Sequence, residues 1–400
     1  MPFLSVDWAR FANSADPAHT LDPVQLITGL LTPVRWLLLL CGLHLDYPLP
    51  RKPYRRYLIY GHRLVACVLA TFMAVCVLLM TRFCSFASLT ADSANAFSLT
   101  CLYVQAATSM LELILLGGLK RLRRIHKLLT AATTGVGVLR GKQALTRTFY
   151  VLLAVVTVTV AFWTTYNALA WFSALLQRHT NTTATPFQQL LFMSELDPIV
   201  FCAMTYLLLC WLVCHMYFAV YAVVIVLELN ALNTDLRSDP NLFQVPVLKH
   251  YFSIHFKLRN LLSLFNRSFG HFLLVLAVSA VSSSLCSALV LLNDWRSLPP
   301  ATLMPLLGSL ITYTLQIAAI VFLAVFMENQ VTAIQQVVCA LTASDKNLDY
   351  EAYSVCLSYV QQMPVHDVTL SLGSLVTLRK SVLLLALLCL GIAILTAVYH

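Results

Sequence analysis

The chain has 400 residues, of which 59% are hydrophobic and 11% charged. Soluble proteins carry about 45–50% apolar and about 25% charged residues, so a soluble surface of this size could not be covered. Only 12 glycines and 15 prolines exclude collagen-like and low-complexity chains. What remains is an integral membrane protein. No segments of about 10 residues alternate in polarity as barrel strands would, so the expected fold is all-α.

Residues 1–17 lack a basic start followed by an apolar run, so the first span is expected to direct insertion. Residues 26–45 are apolar but hold Pro33 and Arg35. Proline would break a spanning helix at its middle, so an interfacial helix is expected there, with an eighth span as the alternative. Crossing about 30 Å of hydrocarbon takes about 20 apolar residues. Residues 57–80, 93–119, 148–177, 198–227, 268–293, 297–327 and 381–400 meet that requirement. The expected organisation is a cytoplasmic segment with the interfacial helix (1–56), six spans with a ligand pocket and inner extensions (57–327), cytoplasmic anchor helices (328–380) and a last, pore-lining span (381–400).

Charge sets the orientation. With the N-terminus inside, the outer loops hold only Arg82, Arg178 and Arg296 of 26 Lys and Arg, and the other 23 fall on the inner side. Seven spans then place the C-terminus outside. The net charge of +9 reports this sidedness and the anionic inner leaflet, not nucleic acid. Of two glycosylation sequons, Asn181 falls in an outer loop and Asn266 on the inner side, so only Asn181 is expected to be modified.

Three apolar stripes at helical spacing occupy the inner segments. They are Ile225, Leu229, Leu232 and Leu236; Ile254, Leu258, Leu261, Leu262, Phe265 and Phe269; and Tyr353, Cys356, Leu357, Val360 and Met363. Stripes need partners, and the expectation is a packed cytoplasmic helical bundle, with helices lying on lipid as the alternative.

Chemistry is scarce. There is no phosphate loop, zinc spacing or nucleophile elbow, so no enzyme, cofactor or metal is expected. Among 12 cysteines only Cys84 lies in an outer loop, which excludes a disulfide framework. The ionisable residues inside spans are Glu112, His215 and His271. Glu112, near the inner end of its span, is read as the partner of an inner-side arginine or as part of a conduction site. His215 reads as a packed core histidine or a ligand contact.

Two stretches carry a family resemblance. Residues 227–272, LELNALNTDLRSDPNLFQVPVLKHYFSIHFKLRNLLSLFNRSFGHF, and residues 360–400, VQQMPVHDVTLSLGSLVTLRKSVLLLALLCLGIAILTAVYH, resemble the insect gustatory receptor family, seven-span arthropod chemoreceptors related to odorant receptors. The shared topology is an inner N-terminus, seven spans and almost no C-terminal tail. That family typically ends in Thr-Tyr, five apolar residues and Gln-Phe. Here Ile392-Ala393 and Tyr399-His400 occupy those positions.

The resemblance implies a ligand-gated cation channel in the plasma membrane. It implies a homo- or hetero-tetramer with related subunits, opened by a small-molecule tastant and passing cations. Four copies of the last span would line the pore, and Cys389, Ile392 (or Ala393), Thr396 and His400 share one face of it. Ligand would bind among the outer halves of the second to sixth spans. Candidates there are Trp163, Tyr166, Asn167, Trp171, Thr205, Tyr206, Tyr313 and Gln316, with Trp211, His215 and Thr312 beside them. Ordinary helix packing and an interfacial aromatic belt are the competing readings of these residues. A G-protein-coupled receptor would reverse the charge asymmetry, and a solute carrier would show paired midplane helix breaks.

Overall fold

The computed structural model describes residues 22–40, scattered helical positions between 57 and 75, 90–118, 121–129, 136–179, 197–239, 242, 244–294, 296–344, 350–362, 370–372 and 376–378. The seventh span, and with it Cys389, Ile392, Thr396 and His400, lies outside the described residues, as does Asn181.

Two short helices come first, α1 (Pro23–Leu30) and α2 (Thr32–Leu40). Asp22 caps α1 by accepting the Val24 N–H at 3.0 Å, with proline at the helix start. Where a single interfacial helix was expected, the chain breaks at Leu31, because Pro33 fits the first turn of a new helix rather than the interior of an old one. Eight and nine residues are too short to span. Leu26, Ile27, Leu30, Leu31 and Val34 pack into the main core.

The spans follow as α3 (Ala91–Gly118), α6 (Lys142–His179), α7 (Asp197–Ser238), α8 (Val245–Asp294) and α9 (Pro300–Ser344), with α4 (Arg121–Leu129) and α5 (Val136–Arg140) between the first two. Thr90 and Ser93 cap α3 reciprocally, each side-chain oxygen accepting the other's N–H. At 42, 50 and 45 residues, α7, α8 and α9 are about 60–75 Å long, twice the hydrocarbon thickness. All three project at the end that the charge asymmetry assigns to the cytoplasm. The sixth span therefore runs on without a break to Ser344, past the expected boundary at 327.

The fourth span, α7, is central. It packs against α2, α3, α5, α6, α8 and α9. The third, α6, is peripheral: Leu145, Phe149, Val160, Trp163 and Asn167 face the bundle, while Val151, Val155, Val158 and Leu169 face outward. An outward apolar face suits lipid.

The inner extensions form the expected bundle, completed by α10 (Tyr350–Gln362) and a two-residue hairpin, β1 (Ser371–Leu372) and β2 (Val376–Thr377). The first two stripes are buried as expected, apart from half-buried Ile254. The third is rotated. Cys356 is buried, but Tyr353 and Leu357 are each 43% exposed, and the packed face is Ala352, Cys356 and Tyr359. Val360 and Met363 are outside the described side chains. Tyr359 decides the rotation. Its ring stacks on Phe252 at 3.8 Å and 10°, and its hydroxyl shares a hydrogen bond with His255 Nδ1. Lys249 pairs with Glu351 at 3.1 Å beside them. The Asn266 side chain accepts the Ser371 N–H at 3.4 Å, so the hairpin sits against the start of the fifth span.

Short α5 touches α7 closely. A Cβ added at Gly137 would lie 2.3 Å from the Leu227 carbonyl oxygen and 2.7 Å from Glu228 Cα. Buried Glu228 accepts the Val138 N–H at 2.8 Å, and Arg140 pairs with Asp235. Gly137→Ala is expected to push α5 off α7, with a stability loss of about 1–3 kcal/mol in thermal unfolding of purified protein.

The inner bundle is also expected to be acid-sensitive. Burial, and then nearby Arg259, hold the His255 imidazole down at about 4, against 6.5 in an open chain. Above pH 6.5 both states are neutral and the group contributes nothing. Between about 6.5 and 4 the unfolded chain takes the proton and the folded one does not, so stability falls with pH. Melting curves across that window should show a shallower slope for His255→Asn than for the native chain.

Candidate functional site

A polar seam runs down one face of α3. Asn95, Ser98, Gln105, Ser109 and Glu112 are all buried, at intervals of three, four and seven residues. Near the outer end Asn95 donates to the Thr302 carbonyl at 3.4 Å. Ser98 bonds Ser283 and Ser287 of α8 at 2.8 and 3.2 Å, and the Tyr313 hydroxyl donates to its carbonyl at 2.7 Å.

Gln105, at mid-depth, is the junction. Its Nε2 donates to Ser279 Oγ at 2.7 Å and to Gln316 Oε1 at 3.2 Å. Its Oε1 accepts from Trp211 Nε1 at 3.1 Å and from Gln316 Nε2 at 3.2 Å. Two donors and two lone pairs are thereby filled by one residue each from α7 and α8 and a reciprocal amide pair with α9. Gln105 and Ser279 were not among the expected site residues. An uncharged glutamine inside an apolar run carries no spacing signal, and its partners lie more than 100 residues away.

At the inner end Glu112 meets the expected arginine. Arg121 Nη1 lies 3.4 Å from its carboxylate and donates to the Arg267 carbonyl at 3.1 Å. Ser109 donates to the Gln105 carbonyl at 2.7 Å. The His215 ring lies tilted against Trp211, with centroids 4.1 Å apart and planes at 46°; its Nδ1 is 2.8 Å from the Trp211 carbonyl and its Nε2 is buried without a partner. His271 is exposed on α8.

The structure brings three of the expected ligand residues together on α6. Trp163 and Asn167 are buried one turn apart, and the Tyr166 ring meets Trp163 edge-on at 5.9 Å and 90°. Tyr103 of α3, fully buried and not expected from the sequence, faces Asn167. Phe162 closes one side, 5.3 Å from Trp163, and fits there because position 308 on α9 is glycine; a Cβ would meet its ring at 2.3 Å. Other candidates are committed elsewhere. Tyr313 and Gln316 bond within the α3 seam. Thr205 donates to the Phe201 carbonyl of its own helix at 3.0 Å. Tyr206 is half-buried against the main core, and the Trp171 side chain lies outside the described set. Thr312 is buried on α9. Among the described residues no three His, Cys, Asp or Glu side chains could share a metal ion.

The sequence matches no protein-family model and no curated protein. Solved structures do match. The insect olfactory receptor OR5 from Machilis hrabei, in complex with eugenol, superposes with a TM-score of 0.64 at 13% identity, covering 94% of this chain and 98% of that one. The same receptor in a second structure gives 0.63 at 16% identity with the same coverage. The chain has the insect olfactory receptor fold. That fold fits the seven-span architecture expected from the sequence, and the structures that share it are receptors rather than enzymes.

Within the olfactory receptor fold, the Gln105 junction ties the second span to the fourth, fifth and sixth. Gln105→Leu leaves the indole N–H, the Ser279 hydroxyl and the Gln316 amide to find new partners in an apolar setting. The expected loss is about 1–3 kcal/mol by thermal unfolding of detergent-purified protein, and Trp211→Phe, which removes one bond, should cost less.

Proposed function

We propose that the chain is a gustatory-type chemoreceptor, a cation channel in the plasma membrane opened by a small-molecule tastant. The observation that carries this reading is the olfactory receptor fold, shared over 94% of the chain. The sequence resemblance to gustatory receptors over residues 227–272 and 360–400 supports the taste assignment. The ligand site is the group around Trp163, Tyr166 and Asn167, joined by Tyr103: aromatic walls with a few polar groups, as small-molecule sites have. Tyr313 and Gln316 support it from the seam behind, and Trp171, Thr205 and Tyr206 belong to the same outer halves.

In this reading four subunits, identical or related, surround one pore lined by the seventh span. Cys389, Ile392, Thr396 and His400 face that pore, which closes by dewetting at its apolar positions. The cytoplasmic bundle of α7–α10 holds the subunits together.

Expression alone and with candidate co-receptors, under a panel of tastants, tests the proposal. The expected result is a ligand-evoked cation current that, with cysteine substituted singly at positions 390–400 beside the native Cys389, is blocked by thiol reagents in a state-dependent way. Saturable uptake of the ligand without current would instead indicate a carrier. Uniform protection of those positions in open and closed states would remove the seventh span from the pore.

A further inference from the structure

Short α4 lies along the inner membrane boundary, where α7, α8 and α9 project beyond it. Arg121, at its start, reaches back to Glu112 and donates to the Arg267 carbonyl, where α8 enters the fifth span. Further along, His126 Nε2 lies 2.6 Å from the Tyr221 hydroxyl. Tyr221 sits about 9 Å inside the end of the fourth span's apolar run at Leu227. The charge of Arg35 on α2 reaches the same hydroxyl, and its neighbour Trp36 is 62% exposed, as an aromatic ring at a membrane interface is. Amphipathic helices at this depth commonly turn their apolar face to lipid. In α4 the protein has taken that face: Leu122, Ile125 and Leu129 are buried in the main core. The exposed positions of α4 are 123, 124 and 127, and all are cations.

Residues 113–194 hold no Asp or Glu, while residues 120–147 hold eight Lys and Arg. Of these, Arg121 and Arg140 pair with Glu112 of α3 and Asp235 of α7. We propose that α4 binds an anionic phospholipid of the inner leaflet, with Arg123, Arg124 and Lys127 on its headgroup. Lys127 follows the two arginines by four and three residues, so the three cations share one patch of helix surface. Guanidinium forks take phosphate oxygens in pairs, and the ammonium adds a point charge. Each Lys or Arg at an anionic cytoplasmic surface strengthens the attraction about fivefold. The depth marked by Tyr221 and Trp36 selects a lipid over a free phosphate compound. At that level the phosphate meets α4 while the acyl chains remain in the bilayer. The contact makes the segment between the second and third spans sensitive to lipid composition, and it is independent of whether the chain conducts ions.

Native mass spectrometry of the full chain, titrated with phosphatidylserine or with phosphatidylcholine of matched acyl chains, reads the affinity of each lipid. Phosphatidylserine should bind at least about tenfold tighter than phosphatidylcholine. Arg124→Gln should weaken phosphatidylserine about fivefold. Arg123→Gln, Arg124→Gln and Lys127→Gln together should weaken it about a hundredfold, with phosphatidylcholine unchanged. Arg237→Gln is the matched control, because it removes an exposed cation from the far cytoplasmic end of α7. It should leave both affinities as they are. Cooperative melting in phosphatidylcholine nanodiscs establishes that each variant is folded, and the single variant decides the matter if the triple one is not. Equal binding of the two lipids, undiminished phosphatidylserine binding in Arg124→Gln, or the same loss in Arg237→Gln would each overturn the proposal. Water-soluble glycerophosphoserine binding as tightly as the whole lipid would overturn it too, by assigning the patch to a free phosphate compound.

Discussion

The side-chain amide of Gln105 is the point on which the membrane half of the molecule depends. Hydrocarbon offers no partner to a buried polar group, so every such group must be satisfied by another helix or left at a cost. Gln105 is satisfied completely, by Trp211, Ser279 and Gln316 from three other spans. Apolar side chains gain little by leaving lipid for a neighbouring helix, because lipid is as apolar as they are. Relative register among the second, fourth, fifth and sixth spans is therefore set mainly by where these polar groups meet. The serines at 98, 283 and 287 extend the same register outward, and the Glu112–Arg121 pair closes it at the inner end.

The inner half is held by a different force. Once α7, α8 and α9 leave the membrane, their apolar stripes would face water, and burying them is worth about 25 cal/mol per Å². Leu229, Leu232, Leu258, Phe265, Val331, Ile334 and Val338 accordingly lie in one continuous core with the spans. The helices cross the boundary without a break. Val160 and Trp163 near the outer end and Phe252 and Tyr359 at the inner end thus belong to one continuous apolar core.

Much of this was legible in the sequence, and the exceptions have physical causes. Span existence followed from apolar run length, and the arginine for Glu112 followed from sidedness, because the positive residues crowd the inner helix ends. The rotation of α10 was not legible. Tyr353 and Leu357 are as apolar as the residues that are buried, but the Phe252 ring and His255 offer Tyr359 both a stack and a hydrogen bond. Residues that look like ligand contacts singly also mislead when read in chain order. Tyr313 and Gln316 are among them, although their polar atoms are spent on Ser98 and Gln105, whereas Tyr103, fully buried beside Asn167, stood out by no spacing.

By itself, the sequence determined the membrane class, the helical fold and the five long spans found among the described residues. These depend on run length and on charge counts, which are local or additive properties of the chain. Only the tertiary structure decided which polar groups are satisfied and which are left open. That distinction depends on pairing between helices far apart in sequence, which no local or additive property of the chain encodes.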